Sequence, residues 1–407
     1  MRSEEGYKLT IFLRNLNLLK TSNYVTRFND LNIIEDFKIP VEIDVFRLIK
    51  LKQADIAKLL NSDSSFNGDL KSKLLTAISS LLKISSDKLK SDLLLGHHNS
   101  RYLKSAILRC LKPGLLVYLW VWEDPLTSYI LKFHGINPLY IRSLNDKPLE
   151  PDISMLIRNY VEGSVIYFSI PNKLNGYFNI DLISNISDLI SRKTGCLIAD
   201  LSNIFTFLRR SGSKYSYSSD IFENILSNAL IRLLNSIESK SACIYISFNT
   251  YLAPLNLDYS IILTFEEYIK RIKILTSLES QNHLIYDVMS INGLNYIANS
   301  EEYLKNLSEL IAQRLNTLIE VMGDRILLPE GEYFGGYNVI LDISPYKDRE
   351  FVDNLAGKIS VSMLPFSIVS GCRSSYIILN LASVPYMEDD SKWIDEISLI
   401  SRVLMLG

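Results

Sequence analysis

The stretch SVIYFSIPNKLNGYFNIDLISNISDLISRKTGCLIADLSNIF, Ser164 to Phe205, contains a complete strand, loop, helix and strand unit. SVIYFSI and CLIADL are short runs that are apolar almost throughout, the pattern of strands covered on both faces. Between them, residues 179 to 192 place apolar side chains at helical spacing. Two buried strands joined by a helix predict a parallel pair.

The same alternation extends in both directions. Upstream, LLVYLW from Leu115, a helix through Thr127 to Phe133 and NPLYIRS from Asn137 repeat it. Downstream come a helix over 219 to 237, ACIYISF from Ala242 and SIILTF from Ser260. The expected fold class is therefore α/β, a mostly parallel sheet flanked by helices. GDLKSKLLTAISSLLKI from Gly68 predicts a helix ahead of it, and a second helix opens after Asn99.

Two helices over 283 to 297 and 300 to 322 follow as a connector. After them, ILL at 326, YNVILDI at 337, a helix near 347 to 356, KISVSML at 358, YIILNLA at 376 and a closing helix from Asp390 predict a smaller α+β unit. The expected organisation is an N-terminal extension (1–55), a large domain (56–280), connecting helices (281–322) and a small domain (323–407). Within the extension, IPVEIDVFRLIKLK near 39 to 52 predicts a strand pair.

A chain of 407 residues exceeds the size at which one core stops growing, so more than one packed unit is expected. Its hydrophobic content of 47% against 22% charged residues favours a large core over disorder. A formal net charge of -2 leaves no cationic excess for a phosphate backbone or an anionic bilayer, so neither nucleic acid nor membrane is expected as a partner. No apolar run reaches spanning length, and the N-terminus MRSEEGYK lacks a secretory pattern, so a cytoplasmic location is expected.

Cys110, Cys196, Cys243 and Cys372 lie far apart and read as reduced core residues. His97 and His98 are adjacent, and with only His134 and His283 elsewhere they make a poor metal set. Arg209 and Arg210, in LRRSGSK, read as a flexible basic surface loop.

From about residue 56 to 405 the order of pieces resembles the class I/II pyridoxal-phosphate-dependent aminotransferases, especially the histidinol-phosphate branch. LNSDSSFNG (60–68) resembles the family's entry segment, and GHHNSRYL (96–103) its glycine-rich turn and helix N-terminus. There the resemblance implies that Asn99 and Ser100 face the cofactor phosphate. IPNKLNG (170–176) is similar to the NPNNPTG loop, with Lys173 where an asparagine meets the ring hydroxyl. ADLSNIF (199–205) keeps Asp200, the implied partner of the pyridine nitrogen, but has Asn203 where an aromatic hydroxyl follows.

SFNTYLAPLNLDY (247–259) aligns without a gap on SxSKTFGLAGLRxG. The alignment puts Ser247 at a cofactor-contacting serine, Thr250 at the Schiff-base lysine and Asp258 at the phosphate-binding arginine. PEGEYFGGYNVILDI and SSYIILNLA resemble small-domain segments, with Ile378 at the substrate-carboxylate arginine. Pro125 matches a family proline, and Thr127 replaces the ring-stacking residue two positions on.

These replacements remove the chemistry the family needs. Threonine forms no imine and is a poor base, and isoleucine cannot clamp a carboxylate. Arginine exchanged for aspartate reverses an attraction of about 4 kcal/mol at contact and intermediate dielectric. The expectation is a degenerate member with no catalytic residue and no cofactor, acting as a binding or regulatory scaffold and keeping the family's homodimer. Two alternatives stand beside it. One is an active transaminase or related enzyme holding pyridoxal phosphate on a relocated lysine, Lys173. The other is a structural subunit contacting a protein partner through residues 1–55.

Overall fold

The computed structural model describes residues 64–85, 88–89, 91–218, 227–252, 258–277, 284–356, 358–370, 373–382 and 390–405. The strand pair expected near 39 to 52, and Cys372 and His283, lie outside them.

Helix α1 (64–81) precedes β1 (94–97), α2 (100–109), β2 (117–120), α3 (125–133), β3 (139–141), α4 (153–159), β4 (165–169), α5 (180–193) and β5 (196–200). The hairpin β6 (207–211) and β7 (214–217) follows, then α6 (227–238), β8 (242–247), the single turn α7 (249–252), β9 (260–264) and α8 (266–277). Strands β1, β2, β3, β4, β5, β8 and β9 form one seven-stranded sheet in the order β1-β9-β8-β5-β4-β2-β3. Only β9 runs against its neighbours, antiparallel to both β1 and β8.

The apolar runs are continuous because both faces are covered. Leu119, Val165, Tyr167, Ile198, Cys243 and Tyr245 pack with Leu103 and Ile107 of α2, Leu131 of α3 and Ile272 of α8. The alternate residues Tyr118, Ile166, Phe168, Ala199 and Ile244 join the larger core on the opposite face, with α1, α5 and α6. Every residue of β2, β4 and β8 is buried.

Helices α9 (284–299) and α10 (301–322) lead to β10 (326–327), β11 (333–335), β12 (338–342), α11 (348–355), β13 (363–365), α12 (366–370), β14 (376–380) and α13 (391–405). Strands β10, β12, β14 and β13 make a four-stranded antiparallel sheet. β11 leaves that group and pairs with β6, so a three-stranded sheet β11-β6-β7 stitches residues 207–217 to the C-terminal part. The larger apolar core is continuous from Leu70 to Leu404.

Two elements depart from the expectation. LLGH, Leu94 to His97, is a strand at the sheet edge, too short and too glycine-broken to show a period. A Cβ at Gly96 would stand 2.1 Å from the Tyr259 hydroxyl, so the strand reaches β9 only with glycine there. LRRSGSK is not a loop but the turn of the β6–β7 hairpin, with Gly212 at φ +63. Leu208 is buried but Arg209, Arg210, Ser211 and Lys214 face water, and exposed polar strands read as loops. Cys110 and Cys196 are half-buried and Cys243 is buried, all three as free thiols. Among the described residues no helix is long and apolar enough to cross a membrane.

Candidate functional site: a buried charge centre at the strand ends

Asp200 ends β5 fully buried, on the face shared with Ile198, Tyr167 and Tyr245. Its Oδ1 accepts from Ser202 N at 3.2 Å and from Ser202 Oγ at 2.6 Å. Its Oδ2 accepts from the Tyr167 hydroxyl at 2.6 Å and meets Lys173 Nζ at 3.1 Å and Lys104 Nζ at 3.6 Å. Burial pushes this carboxyl up. The charges of Lys173 and then Lys104, with the hydrogen bonds from Ser202 and Tyr167, outweigh it and hold the pKa at about 2.

Lys173 reaches this centre because its loop is tied from both sides. Asn172 Oδ1 accepts from Leu174 N at 3.0 Å and Asn175 N at 3.1 Å, an Asx turn that tightens IPNKLNG. Gly176 sits at φ +70, and a Cβ there would press 2.1 Å from the Phe334 ring. Asn338 of β12 donates from Nδ2 to the Lys173 carbonyl at 2.6 Å. The side chain is 4% exposed, whereas a lysine in a loop is ordinarily in water.

Lys104 arrives from α2. Asn99 caps that helix, its side chain accepting from Tyr102 N, so Asn99 is helix-entry structure. Ser100 and Lys104 are four residues apart and share a face. Lys104 Nζ donates to Asp124 Oδ2 at 2.7 Å, and Asp124 also caps α3 by accepting from Leu126 N. Burial raises the Asp124 carboxyl, but Lys104 and Lys173 outweigh it and the net shift is downward. Next to it, Glu123 takes both donors of Ser169, from N at 2.7 Å and from Oγ. Burial dominates there and raises its pKa to about 7.

The N-terminus of α2 is also engaged. Ser100 N donates to Asp258 Oδ1 at 3.0 Å, and Asn249 Nδ2 donates to Ser100 Oγ at 2.7 Å. Tyr245 donates to the Ser100 carbonyl at 2.9 Å. Ser247 N donates to Ser202 Oγ at 2.9 Å, which ties the ends of β8 and β5. Thr250 lies in α7, one turn after β8.

The structure thus brings Ser100, Asn249 and Asp258 together at the α2 terminus, and Asp200, Lys173 and Lys104 together at the end of β5. Thr127 and Asn203 are buried, and Thr127 Oγ1 and Asn203 Nδ2 have no hydrogen-bond partner. Ile378 lies in the middle of β14, buried opposite Ile340. His97 and His98 stack on each other, and His98 Nδ1 is 3.6 Å from Asp287 Oδ1.

Lys104, Asp124, Glu123 and Tyr167 are site residues that the sequence reading passed over. The available signal was Lys104 itself, a lysine between Leu103 and the apolar run Ala106 to Leu108 on an otherwise buried helix face.

No protein-family model matches the sequence, and no curated protein matches it. Solved structures do match the fold. An aspartate aminotransferase double mutant from Thermus thermophilus superposes with a TM-score of 0.62 at 14% identity, over 81% of each chain. A pyridoxal-phosphate-bound putative aminotransferase from Clostridium difficile 630 gives 0.64 at 14% identity, over 82% of this chain and 83% of that one. The histidinol-phosphate aminotransferase of Clostridium acetobutylicum gives 0.60 at 13% identity, over 82% and 89%. The chain has the aminotransferase fold, with its α/β large sheet and smaller antiparallel one.

Proposed function

We propose that this chain is an aminotransferase-fold protein that does not carry out pyridoxal-phosphate catalysis and works as a binding or regulatory scaffold. The single observation that carries the reading is the state of Asp200. Both of its oxygens already hold protein donors, with Lys173 at 3.1 Å where a pyridine nitrogen would need access. The residues present do not fit the cofactor. Asp258 would repel a phosphate at the α2 terminus, and Thr250 offers no amine.

Charge supports the same conclusion. Lys104 and Lys173 are matched by Asp124 and Asp200, while the raised pKa of Glu123 keeps it substantially protonated near neutrality. A dianionic ligand would add negative charge to a buried centre whose two lysines are already matched by two aspartates. In this reading the protein is cytoplasmic and dimeric, with residues 1–55 available to a protein partner and the domain division at 56, 281 and 323 retained.

The competing reading, an enzyme with a relocated imine, draws on the burial of two lysines beside Asp200. One measurement separates them: absorbance between 300 and 500 nm with added pyridoxal phosphate, then borohydride reduction and peptide mapping. The scaffold reading expects no adduct at Lys104 or Lys173. A stoichiometric reduced adduct on either lysine would overturn it.

A further inference from the structure

The antiparallel direction of β9 determines what lies over the α2 terminus. In register, Ser260 at the start of β9 faces His97, the last residue of β1, and Ser247, the last of β8. The beginning of β9 therefore shares one edge of the sheet with the ends of β1 and β8. Asp258, two residues ahead of β9, is delivered over the helix that starts three residues after β1. Its carboxylate takes the Ser100 amide at 3.0 Å, on a ten-residue helix whose dipole favours an anion there.

We infer that the site is self-liganded: Asp258 is a built-in anion on the α2 terminus and Lys173 a built-in cation on Asp200, together holding it closed to phosphate-bearing small molecules. The inference rests on the reading that pyridoxal phosphate is not held, and adds the device that excludes it. Around the terminus, Ser100 Oγ is taken by Asn249 and the Ser100 carbonyl by Tyr245, so protein groups already occupy the polar atoms of Ser100 around an internal carboxylate. At the other end Lys173 supplies the positive partner that Asp200 would otherwise take from a ligand. Asp258 is the removable part, because it is half-buried while Ser100 is fully buried.

The test uses the full chain and inorganic phosphate as probe, with chloride at matched ionic strength as control. Thermal unfolding and phosphorus NMR are recorded for the wild type, Asp258→Ala, Asp258→Ser and Asp258→Asn. The wild type is expected to give neither a midpoint shift nor phosphate line broadening. Asp258→Ala and Asp258→Ser are expected to melt lower and to regain about 2–4 °C saturably with phosphate. Asp258→Asn still fills the seat and is expected to stay unresponsive.

Phosphate binding by the wild type overturns the inference, as does a folded Asp258→Ala or Asp258→Ser that gains nothing from phosphate. If neither small variant folds, the wild-type NMR and the unresponsive Asp258→Asn still decide it, since broadening in either overturns the closed seat. A borohydride-trapped adduct on Lys104 or Lys173 would sink the scaffold reading and the inference with it, whereas phosphate binding by a wild type that forms no adduct overturns the inference alone.

Discussion

Arg314 of α10 meets Asp390 with two hydrogen bonds, Nε to Oδ2 at 2.8 Å and Nη2 to Oδ1 at 2.6 Å, and gives a third from Nη1 to the Leu381 carbonyl. Its guanidinium also lies over the Trp393 ring at 5.2 Å. Asp200, equally buried, has no single partner but shares two lysines, a tyrosine and a serine, and Lys104 is shared in turn with Asp124. The first arrangement is a closed one-to-one fork, and the second is a mesh in which a charged group keeps company when a neighbour is lost. Forks fasten elements together, here α10 to the segment before α13. In the scaffold reading proposed above, the mesh at the strand ends is a ligand's place taken over by side chains.

The difference is sharpest in what each region loses on substitution. Arg314→Met strands Asp390 without a counter-charge in the interior, and breaking such a pair costs about 3–5 kcal/mol. Urea unfolding would read this as a fall in midpoint at unchanged slope. A loss under about 1 kcal/mol would show that the fork is not holding the C-terminal helix.

Asp200→Asn should cost less, about 1–3 kcal/mol, because Lys104 keeps Asp124 and the amide still accepts from Ser202. The informative version is a double-mutant cycle with Lys173→Met. Shared partnership predicts that the pair together costs less than the two single losses added, with a coupling of about 1–2 kcal/mol. Strict additivity would mean that Lys173 and Asp200 do not depend on each other.

The same contrast explains what could be read from residues alone. Runs such as SVIYFSI and CLIADL announced the sheet because strands buried on both faces leave no polar alternation, and Asn99 announced α2 because a helix start needs a capping side chain. β6 and β7 stayed hidden because their outward residues are arginine, serine and lysine, the composition of a loop. At the site, Asp200 was legible from its place at a strand end, as a possible ring partner. Its actual partners were not, because Lys104 and Tyr167 come from separate elements that only packing brings together. Lys173 was legible as a departure, but its burial depends on Asn338 from the far sheet.

Glu123 tests the mesh through pH. Its folded pKa, raised by burial to about 7, lies above the ordinary glutamate value of 4.5, so the native state binds a proton that the unfolded chain releases. The stability this contributes is complete below about pH 4.5 and lost as pH rises through about 7. Glu123→Gln, isosteric and uncharged, should flatten that fall, worth on the order of 3 kcal/mol, while leaving the acid limb set by Asp200 near pH 2 to 4. Identical pH profiles for variant and wild type would place the ionised Glu123 comfortably in the mesh and would return the centre to a net negative charge.

The smallest effect belongs to an ion pair with better distances than most of the mesh. Arg209 meets Glu332 through Nε at 2.7 Å and Nη2 at 2.6 Å across the β6–β11 pairing. Both side chains are about half exposed, at 50% and 48%, so water already solvates each charge and salt screens the attraction. Arg209→Ala should therefore change stability by no more than about 0.5 kcal/mol, still less in high salt. Guanidinium geometry alone does not make a fork: Arg314 anchors because Asp390 is buried away from water, whereas Glu332 has the solvent. A loss above about 1 kcal/mol at Arg209 that persists in molar salt would break this distinction and assign the hairpin a structural anchor of its own.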